Sequence, residues 1–296
     1  MRIYPTFAAC REELRKGFLS PIAKPVKAAR WQGVDVSSKP DMATRELLNT
    51  SIQVPLRGLE DYVYWSADTK ANMPWADIHF EERVGGEPLN PGESWKSWPW
   101  GHSADKFRDA ASGQFDHTYM ERFWPKYIHI SDKLGRIGKS ARRGIRFEYG
   151  DLNDLLETLQ KDPFTRQAYL PVWFPEDGTC TGRRPCTLGY HFINRYDYLH
   201  ITYYIRSCDF IRHWGDDCYL AVRLLLWVLD RLRERDERWR VVKPGMFTFH
   251  CVSLHLFQND YENLRISEER NSNRKVSSLE GATKGEVPKH QCKRSL

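Results

Sequence analysis

The sequence contains no run of about 18 consecutive apolar residues, the length that a membrane-spanning helix requires. It also lacks a signal-peptide pattern, because Pro5, Arg11 and Glu12 interrupt the N-terminal stretch. Its seven cysteines are odd in number and lack the spacing of a metal-binding motif, which favours reduced thiols. These absences predict a cytoplasmic protein without membrane contact.

The composition predicts a folded chain with a sizeable core. Hydrophobic residues make up 41% of the sequence, which is a little low, but aromatic residues at 13% compensate in buried area. The formal net charge is +6, and much of the excess lies in residues 11–30 and 284–294. A solvated surface and an attraction to phosphate both fit this charge, so it does not by itself predict a nucleic-acid-binding face.

Periodicity predicts several strands and helices. Aromatic and β-branched residues between turn signals predict strands at Ala168–Phe174, Thr187–Asn194, Tyr198–Arg206 and Met246–Phe257. Apolar spacing predicts helices within residues 57–70, 151–161 and 218–232. The last of these is apolar almost all round, which is typical of a buried helix.

The remaining segments have weaker signals. Residues 1–44 show no sustained period and suggest a loosely structured or family-specific N-terminal extension, and residues 43–50 fit either a helix or a strand. Residues 72–100, dense in Trp, Pro and Gly, predict a long ordered loop, and residues 135–146 a mobile surface loop. From Glu262 the chain is polar and basic, which predicts a disordered tail.

Residues 166–217 contain most of the side chains with chemical potential. Cys186 lies at the foot of a predicted strand, and Arg206 and Ser207 lie at the end of the next one. Asp217 opens the buried helix. A hairpin followed directly by a helix could bring these groups to one cavity.

The ordered motifs of this region resemble those of the thymidylate synthase / deoxynucleotide hydroxymethylase superfamily, and most closely its phage dCMP hydroxymethylase branch. The resemblance covers roughly residues 45–260. The motifs that carry it are DPFTRQAYLPVWFP, RPC at 184–186, RSCD at 206–209, DDCYLAVRLLLW at 216–227, SLHLF at 253–257, and Glu60 followed by Ala-Asp-Thr at 67–69.

This resemblance implies an α/β (α+β) three-layer fold with a large, mostly antiparallel sheet, through which family members form homodimers. It divides the chain into an N-terminal extension (1–44), a catalytic domain (45–261) and a basic, disordered tail (262–296). It implies an enzyme that uses 5,10-methylenetetrahydrofolate and dCMP to make 5-hydroxymethyl-dCMP, as a phage with modified DNA would need. Nucleic acid is not an expected partner.

In this resemblance Cys186 is the nucleophile. A thiolate that adds to carbon 6 of a pyrimidine makes carbon 5 able to attack a one-carbon donor, with water completing the hydroxymethyl group. A free cysteine has a pKa near ~8.5, so little thiolate exists at neutral pH. We expect the neighbouring cations Arg183, Arg184 and Arg206 to lower that pKa.

The resemblance also assigns the substrate's phosphate and sugar. Arg206 and Ser207 match the family's phosphate-binding pair, and guanidinium donors form a fork that suits a phosphate. Family members add two adjacent arginines from the partner subunit, and here those positions hold Arg166 and Gln167. His255 matches the residue at the sugar 3′-hydroxyl.

Asp217 stands where thymidylate synthases carry the Asn that reads the pyrimidine. An aspartate accepts from the amino group of cytosine and protonates or orients the ring nitrogen, whereas it repels the carbonyl oxygen of uracil. The cytosine-specific branch carries Asp at this position. An alternative is that Asp216 and Asp217 only cap the helix. Capping and base recognition are compatible if Asp216 caps the helix and Asp217 reads the base.

Other positions match by the resemblance alone. Glu60 aligns with the family's general acid/base glutamate, which moves protons at the ring. Asp209 aligns with the aspartate that meets the folate pterin. Trp95 and Trp98 line the folate pocket in this interpretation, and plain core packing is their alternative.

Alternatives remain open for the thiol and for the activity. Cys186 could be a buried structural thiol, or a zinc ligand with Cys180, His191 and Cys208, although that spacing is unusual for zinc. The chain could instead be a thymidylate synthase, a dUMP hydroxymethylase or a dCMP methylase. A non-catalytic nucleotide-binding protein is the alternative of another class.

Overall fold

The computed structural model describes residues 2–27, 30–31, 34–128, 150–179 and 182–283. The strands are β1 (Arg2–Ile3), β2 (Pro25–Val26), β3 (Arg30–Trp31), β4 (Val34–Asp35), β5 (Thr44–Pro55), β6 (Tyr169–Pro171), β7 (Thr187–Arg195), β8 (Tyr198–Asp209) and β9 (Lys243–Phe257). The α-helices are α1 (Phe7–Leu19), α2 (Tyr62–Thr69), α3 (Trp75–Val84), α4 (Gly101–Ala104), α5 (Tyr119–Phe123), α6 (Pro125–Ile128), α7 (Leu152–Lys161), α8 (Trp214–Arg235) and α9 (Gln258–Thr283). The predicted loop at 135–146 lies outside the described residues.

Seven of the described strands form one sheet in the order β1-β5-β9-β8-β7-β6, with β2 also paired to β5. Most neighbours run antiparallel, and the parallel pairs are β1 with β5 and β8 with β9. This confirms the predicted mixed fold with a large, mostly antiparallel sheet. The β8–β9 register places Ser207 opposite Ser253 and Asp209 opposite His255.

A tight hairpin joins β7 to β8. Arg195 pairs with Tyr198, and the two residues between them, Tyr196 and Asp197, have φ of 53° and 58°. Two consecutive residues at positive φ are typical of the turn whose twist matches that of paired strands. The hairpin fixes the register that brings Thr187 opposite Ile205, so Cys186 and Arg206 lie side by side.

Helix α8 packs against β8 and β9 at the centre of the core. It contains fourteen buried residues out of 22, as the nearly uniform apolar sequence predicts. A Cβ at Gly215 would lie 2.5 Å from the carbonyl oxygen of Thr69, so glycine permits the end of α2 to touch the start of α8. Further along α8, the guanidinium carbon of Arg223 lies 4.1 Å from the ring of Tyr62, the first residue of α2. The end of α2 thus contacts the start of α8 and the start of α2 contacts a later part of α8, so the two helices run antiparallel.

The N-terminal segment is more ordered than its sequence predicts. Helix α1 begins at a Thr6 cap that accepts from the Ala9 N–H, and its buried positions follow helical spacing. The buried residues of α1 pack in the same hydrophobic core as the buried residues of the sheet; they are Phe7, Cys10, Leu14 and Phe18. The prediction of a loosely structured segment is therefore wrong for residues 7–19, whereas the domain boundary at residue 45 stays a prediction.

Two further segment predictions are wrong. Residues 75–84 form helix α3 where a loop was predicted. Helix α9 includes residues 262–283 of the predicted disordered tail, and residues 284–296 of that tail lie outside the described residues. The start of α9 packs on the core through Tyr261 and Leu264, and ion pairs such as Arg15–Glu268 tie it to α1. None of the helices that the structure describes is long and apolar enough to cross a membrane.

Candidate active site

Cys186 lies directly before β7 and is held by the neighbouring strand. Its carbonyl oxygen accepts the Arg206 N–H at 2.9 Å. The Arg206 side chain donates to the two preceding carbonyls, from Nε to Pro185 at 2.9 Å and from a terminal nitrogen to Arg184 at 3.0 Å. The predicted phosphate arginine therefore also shapes the loop that carries the thiol, which is partly buried.

The pKa of the Cys186 thiol is raised overall, and burial is the largest cause. The charge of Asp217 also raises this pKa, whereas Arg206 and Arg183 lower it. The expectation that nearby cations leave a lowered pKa is thus wrong, because desolvation outweighs two arginines. The cations do act in the predicted direction. A reactive thiolate at neutral pH therefore needs a further favourable charge or the removal of a proton by a partner.

Asp217 lies in the first turn of α8, and its backbone N–H donates to the His213 carbonyl at 2.8 Å. Its carboxylate accepts from the Cys208 thiol at 3.4 Å. Burial raises the pKa of Asp217 to about 7, and Arg83 acts in the opposite direction. A carboxyl that titrates near neutrality is matched to proton transfer, and such groups concentrate at functional sites.

Asp216 does not cap α8. Its carboxylate accepts from the Asn72 N–H at 2.7 Å and from the Asn72 side-chain amide at 2.8 Å, so it ties α8 to the segment after α2. The N-cap residue is His213, which makes no capping side-chain hydrogen bond. The capping interpretation is therefore wrong for Asp216, and the neighbouring position 217 is the one that faces the thiols.

A chain of hydroxyl groups lies next to the nucleophile, and sequence reasoning did not find it. The fully buried Thr187 hydroxyl lies 3.1 Å from the Tyr119 hydroxyl and 2.8 Å from that of Tyr203. Tyr203 in turn lowers the pKa of Asp217 through a hydrogen bond. The chain therefore connects the residue after Cys186 to the Asp217 carboxylate.

Arg83 is a second group that the sequence did not reveal. It lies in the last turn of α3 and is only 5% exposed. Its guanidinium carbon lies 4.1 Å from the centre of the Tyr119 ring, and it is the cation with the largest effect on Asp217. Only the packing of α3 and α5 against the sheet brings it there, so no local pattern could have identified it.

The other substrate residues fall into two groups. Ser207 and His255 are brought together, since the Ser207 hydroxyl lies 3.3 Å from Nδ1 of His255. Arg166 is exposed, and its carbonyl oxygen lies 3.0 Å from Nε2 of His191. Within this single chain Arg166 does not join the Cys186 cluster, as expected for a residue that the resemblance assigns to a partner subunit's site.

The residues predicted to bind folate differ in their surroundings. Trp98 stacks between Trp75 and His213, with ring centroids 5.7 Å and 5.4 Å away, and its indole N–H is buried without a partner. Trp95 instead packs edge-on against Phe115. Both faces of Trp98 are covered, so only its edge, with the unpaired N–H, could meet a heteroaromatic ring such as a pterin.

Asp209 is already engaged within its own turn. Its carboxylate accepts from the N–H groups of Ile211 and Arg212, both at 3.0 Å, and from the Arg212 side chain at 2.8 Å. Arg212 also pairs with Asp260 of α9. Asp209 thus orders the turn between β8 and α8, and its pterin contact stays a prediction.

Glu60 does not reach the candidate site. Its carboxylate pairs with Arg233 through two contacts of 2.7 Å and 2.9 Å. Arg233 and Asp217 lie on the same helix, sixteen residues apart, which corresponds to about 24 Å along its axis. In this structure Glu60 therefore lies away from the Cys186 cluster, because α2 runs antiparallel to α8 and carries this residue to the far end, and its catalytic role stays a prediction.

The zinc alternative gains no support. Among the described residues, no group of three or more His, Cys, Asp or Glu side chains is arranged to hold a metal ion. Cys180, one of the four candidate ligands, lies outside the described residues.

Comparisons with known proteins agree with this geometry. A curated putative thymidylate synthase of Methanosarcina barkeri (strain Fusaro / DSM 804) is 29% identical over 108 residues, which is 36% of this chain and 46% of that protein. The deoxyuridylate hydroxymethyltransferase of Bacillus phage SP01 is 31% identical over 113 residues, 37% of this chain and 28% of that protein. The chain spans about half the length, or less, of these curated relatives.

A solved structure, the thermostable thymidylate synthase A from Bacillus subtilis, aligns with a TM-score of 0.61 over 91% of this chain and 84% of that one. The sequence identity is 15%, so this likeness concerns the fold alone. The family model described as thymidylate synthase matches residues 93–290 and so contains Cys186, Arg206 and Asp217. Because that match covers more than half of the 296 residues, the chain belongs to the thymidylate synthase family.

Proposed function

We propose that this protein transfers a one-carbon unit to carbon 5 of a pyrimidine deoxynucleotide, and that it converts dCMP to 5-hydroxymethyl-dCMP. The observation that carries the proposal is the proximity of Cys186 and Asp217, a partly buried thiol and a carboxyl whose charge raises the pKa of that thiol. A nucleophile beside a group able to read the base is what covalent activation of a pyrimidine needs.

Cys186 is the nucleophile in this proposal. Its sulfur adds to carbon 6 of the base, which leaves carbon 5 electron-rich. Arg206 and Arg183 stabilise the thiolate, although burial opposes them. The hydroxyl chain of Thr187, Tyr119 and Tyr203 holds the residue next to the thiol in place and supplies a route for a proton near the ring.

The nucleotide's phosphate and sugar would bind at the ends of β8 and β9. Arg206 uses Nε and one terminal nitrogen for carbonyl groups, which leaves other N–H donors for the phosphate. Ser207 and His255 are adjacent and offer a hydroxyl and a ring nitrogen to a phosphate or a sugar hydroxyl. Arg166 would complete the phosphate site of a partner subunit if the chain dimerises through its sheet, as family members do.

Asp217 would choose the base by accepting a hydrogen bond from the 4-amino group of cytosine. Uracil presents a carbonyl oxygen there, which an ionised carboxylate repels. The carboxylate already accepts from the Cys208 thiol, a weak donor that leaves its capacity for a stronger one.

The co-substrate of the family, 5,10-methylenetetrahydrofolate, would supply the one-carbon unit. Trp98 is the residue that fits its ring system, because its buried indole N–H has no partner and can donate to an acceptor at the edge of the folate ring. Asp209, in the turn before α8, is the candidate for a polar contact.

A second candidate substrate is dUMP. It is favoured by the 31% identity to a phage protein named deoxyuridylate hydroxymethyltransferase. On that substrate the same thiol would act, and either a hydroxymethyl or a methyl group would result. The base and the product therefore have to be determined together.

The test is to incubate the purified protein with methylenetetrahydrofolate and dCMP or dUMP, and to measure the product mass. A hydroxymethylated dCMP supports the proposal, and hydroxymethyl-dUMP or a methylated product supports the alternatives within the family. No product from a folded protein that nevertheless binds the nucleotide indicates a non-catalytic nucleotide-binding protein. Cys186→Ala is the control for covalent catalysis and is expected to abolish turnover while retaining nucleotide binding.

A further inference from the structure

Arg83 is a buried cation whose charge has no counterpart within the described chain. Its side chain is 5% exposed, and its Nε has no hydrogen-bond partner. No ion pair within 4.0 Å joins it to Asp217 or to any other described carboxylate. The Tyr119 ring lies 4.1 Å from its guanidinium carbon, but a ring face does not satisfy a guanidinium's five N–H donors.

Such an arrangement is costly unless a ligand completes it. Removing a charge from water without pairing it is strongly unfavourable, so buried arginines normally bind carboxylates or carbonyl groups. Arg223 illustrates the usual solution: it is also buried, and it pairs with Asp77 and with Glu81 at 2.8 Å. Arg83 lacks this compensation and lies beside the proposed reactive groups.

The backbone around Arg83 holds it in that position. The Trp124 indole N–H donates to the Arg83 carbonyl at 2.8 Å, which anchors the end of α3 to the segment after α5. The same region carries Tyr119, whose hydroxyl contacts Thr187 beside Cys186. Arg83 therefore lies near the nucleophile through Tyr119 and Thr187, and its charge acts on the Asp217 carboxyl.

We infer that Arg83 is a second base-reading residue, which donates a hydrogen bond to the ring nitrogen N3 of cytosine while Asp217 accepts from the 4-amino group. This inference rests on the proposed function. The base edge has one donor and one adjacent acceptor. In its ionised form the Asp217 carboxylate only accepts hydrogen bonds, so it satisfies the amino group and leaves the ring nitrogen to another donor. A cation and an anion that are near each other but not paired offer the complementary pair.

A phosphate is a poorer fit for Arg83 than the base edge. The charge of Arg83 lowers the pKa of Asp217, so the two groups interact, and the ionised carboxylate would repel a second anion bound at Arg83. Arg206 and Ser207 already form the proposed phosphate site at the strand ends. Arg83 also has a catalytic use at the base, since negative charge spreads onto the ring nitrogen when the thiol adds, and a fixed cation stabilises it.

The experiment compares the binding of dCMP with that of 3-deaza-dCMP, which has a C–H group in place of N3, to the full chain without folate. We expect the wild-type protein to bind dCMP at least about tenfold more tightly, because the analogue leaves a buried donor unpaired. In Arg83→Met, dCMP binding should weaken about tenfold or more while binding of the analogue stays nearly constant, so the preference disappears. Arg223→Met is the matched control, and it should retain the preference.

Two results would overturn the inference: a wild-type protein that does not distinguish the two nucleotides, or an Arg83→Met variant that retains the preference. If Arg83→Met does not fold, Arg83→Lys tests the same point, because the shorter lysine side chain holds its ammonium away from the position of the guanidinium N–H and should reduce the preference. Binding that discriminates without any hydroxymethyl product would refute the proposed function and leave the inference standing. Absence of binding by both nucleotides would refute both.

Discussion

The Nε–H of Arg206 donates to the carbonyl oxygen of Pro185 at 2.9 Å, one residue before the proposed nucleophile. The same side chain binds the carbonyl of Arg184, and its backbone binds that of Cys186. One residue at the end of β8 thus fixes three consecutive carbonyl groups of the loop that carries the thiol. Arg206 therefore has a structural role in addition to its proposed contact with phosphate.

Replacing Arg206 by methionine should therefore affect both reactivity and catalysis. The pKa of Cys186 should rise further, because its strongest stabilising cation is removed. We expect the pH midpoint of Cys186 alkylation, followed by mass spectrometry, to move upward, and kcat/KM to fall about 100-fold or more as the loop loses its alignment. Arg240→Met, which removes an exposed arginine, is the control and should change neither. An unchanged alkylation profile in Arg206→Met would contradict this account.

Asp217→Asn should change the preferred base. An amide offers a donor to the carbonyl oxygen of uracil and an acceptor to its N3–H, whereas the aspartate repels that oxygen. We expect the ratio of kcat/KM for dCMP over dUMP to fall by about 100-fold or more, in line with discrimination that depends on pairing buried polar groups. The measurement is a competition assay with both nucleotides present. A variant that retains the preference for dCMP would remove the base-reading role.

Asp217 should also make stability depend on pH. Its pKa is raised by burial to about 7, so the folded state retains a proton that the unfolded state has lost between about pH 4 and pH 7. The contribution of Asp217 to the free energy of unfolding is therefore fully present below pH 4. It declines as the pH rises from 4 to 7, by at most about 1.4 kcal/mol per pH unit. Urea unfolding at several pH values should show this decline in the wild type and a smaller one in Asp217→Asn. Equal pH profiles for the two proteins would argue against a raised pKa.

Glu60→Gln should leave catalysis nearly intact. The carboxylate forms a half-exposed pair with Arg233 at the far end of α8, and such pairs contribute about 1 kcal/mol or less to stability. We expect kcat/KM to stay within about twofold of the wild type, with a small decrease in unfolding free energy. Asp217→Asn serves as the positive control in the same assay. A large loss of activity with Glu60→Gln would mean that α2 adopts another position during turnover.

Asp177→Asn should destabilise the fold strongly. Asp177 and Arg122 are 0% and 3% exposed, and two contacts of 2.8 Å and 2.9 Å join them. Removing the anion takes two charge-assisted contacts from a buried guanidinium, and breaking a buried ion pair costs about 3–5 kcal/mol. Urea unfolding measures the loss, with the exposed Glu237→Gln as a control that should change stability by less than about 1 kcal/mol. A comparable loss of unfolding free energy for both substitutions would show that the buried ion pair contributes no more to stability than the exposed one.

Local patterns predicted the parts of the site that depend on neighbours in sequence. The hairpin strands were predicted at Thr187–Asn194 and Tyr198–Arg206 and are found at Thr187–Arg195 and Tyr198–Asp209. Pairing across a two-residue turn then brings Cys186 next to Arg206 with little further information. The buried helix that starts near Asp217 follows from its apolar composition in the same way.

The errors arose where long-range packing decided the outcome. Glu60 has a plausible position in sequence, but the antiparallel course of α2 along α8 carries it to Arg233, which lies about 24 Å from Asp217 along the helix axis. Helix α9 is polar and resembles a disordered segment by composition, yet Tyr261 and Leu264 provide a contact with the core. The pKa of Cys186 is raised because desolvation, which no sequence pattern measures, exceeds the effect of the two arginines.

The sequence by itself determined the strands, the buried helix and the neighbourhood of Cys186, Arg206 and Asp217, because hydrogen-bonded pairing across a short turn depends on residues close in the chain. Only the tertiary structure decided that Arg83 and Tyr119 face that neighbourhood and that Glu60 does not. These side chains come from helices distant in sequence, and their positions depend on how those helices bury their apolar faces against the sheet.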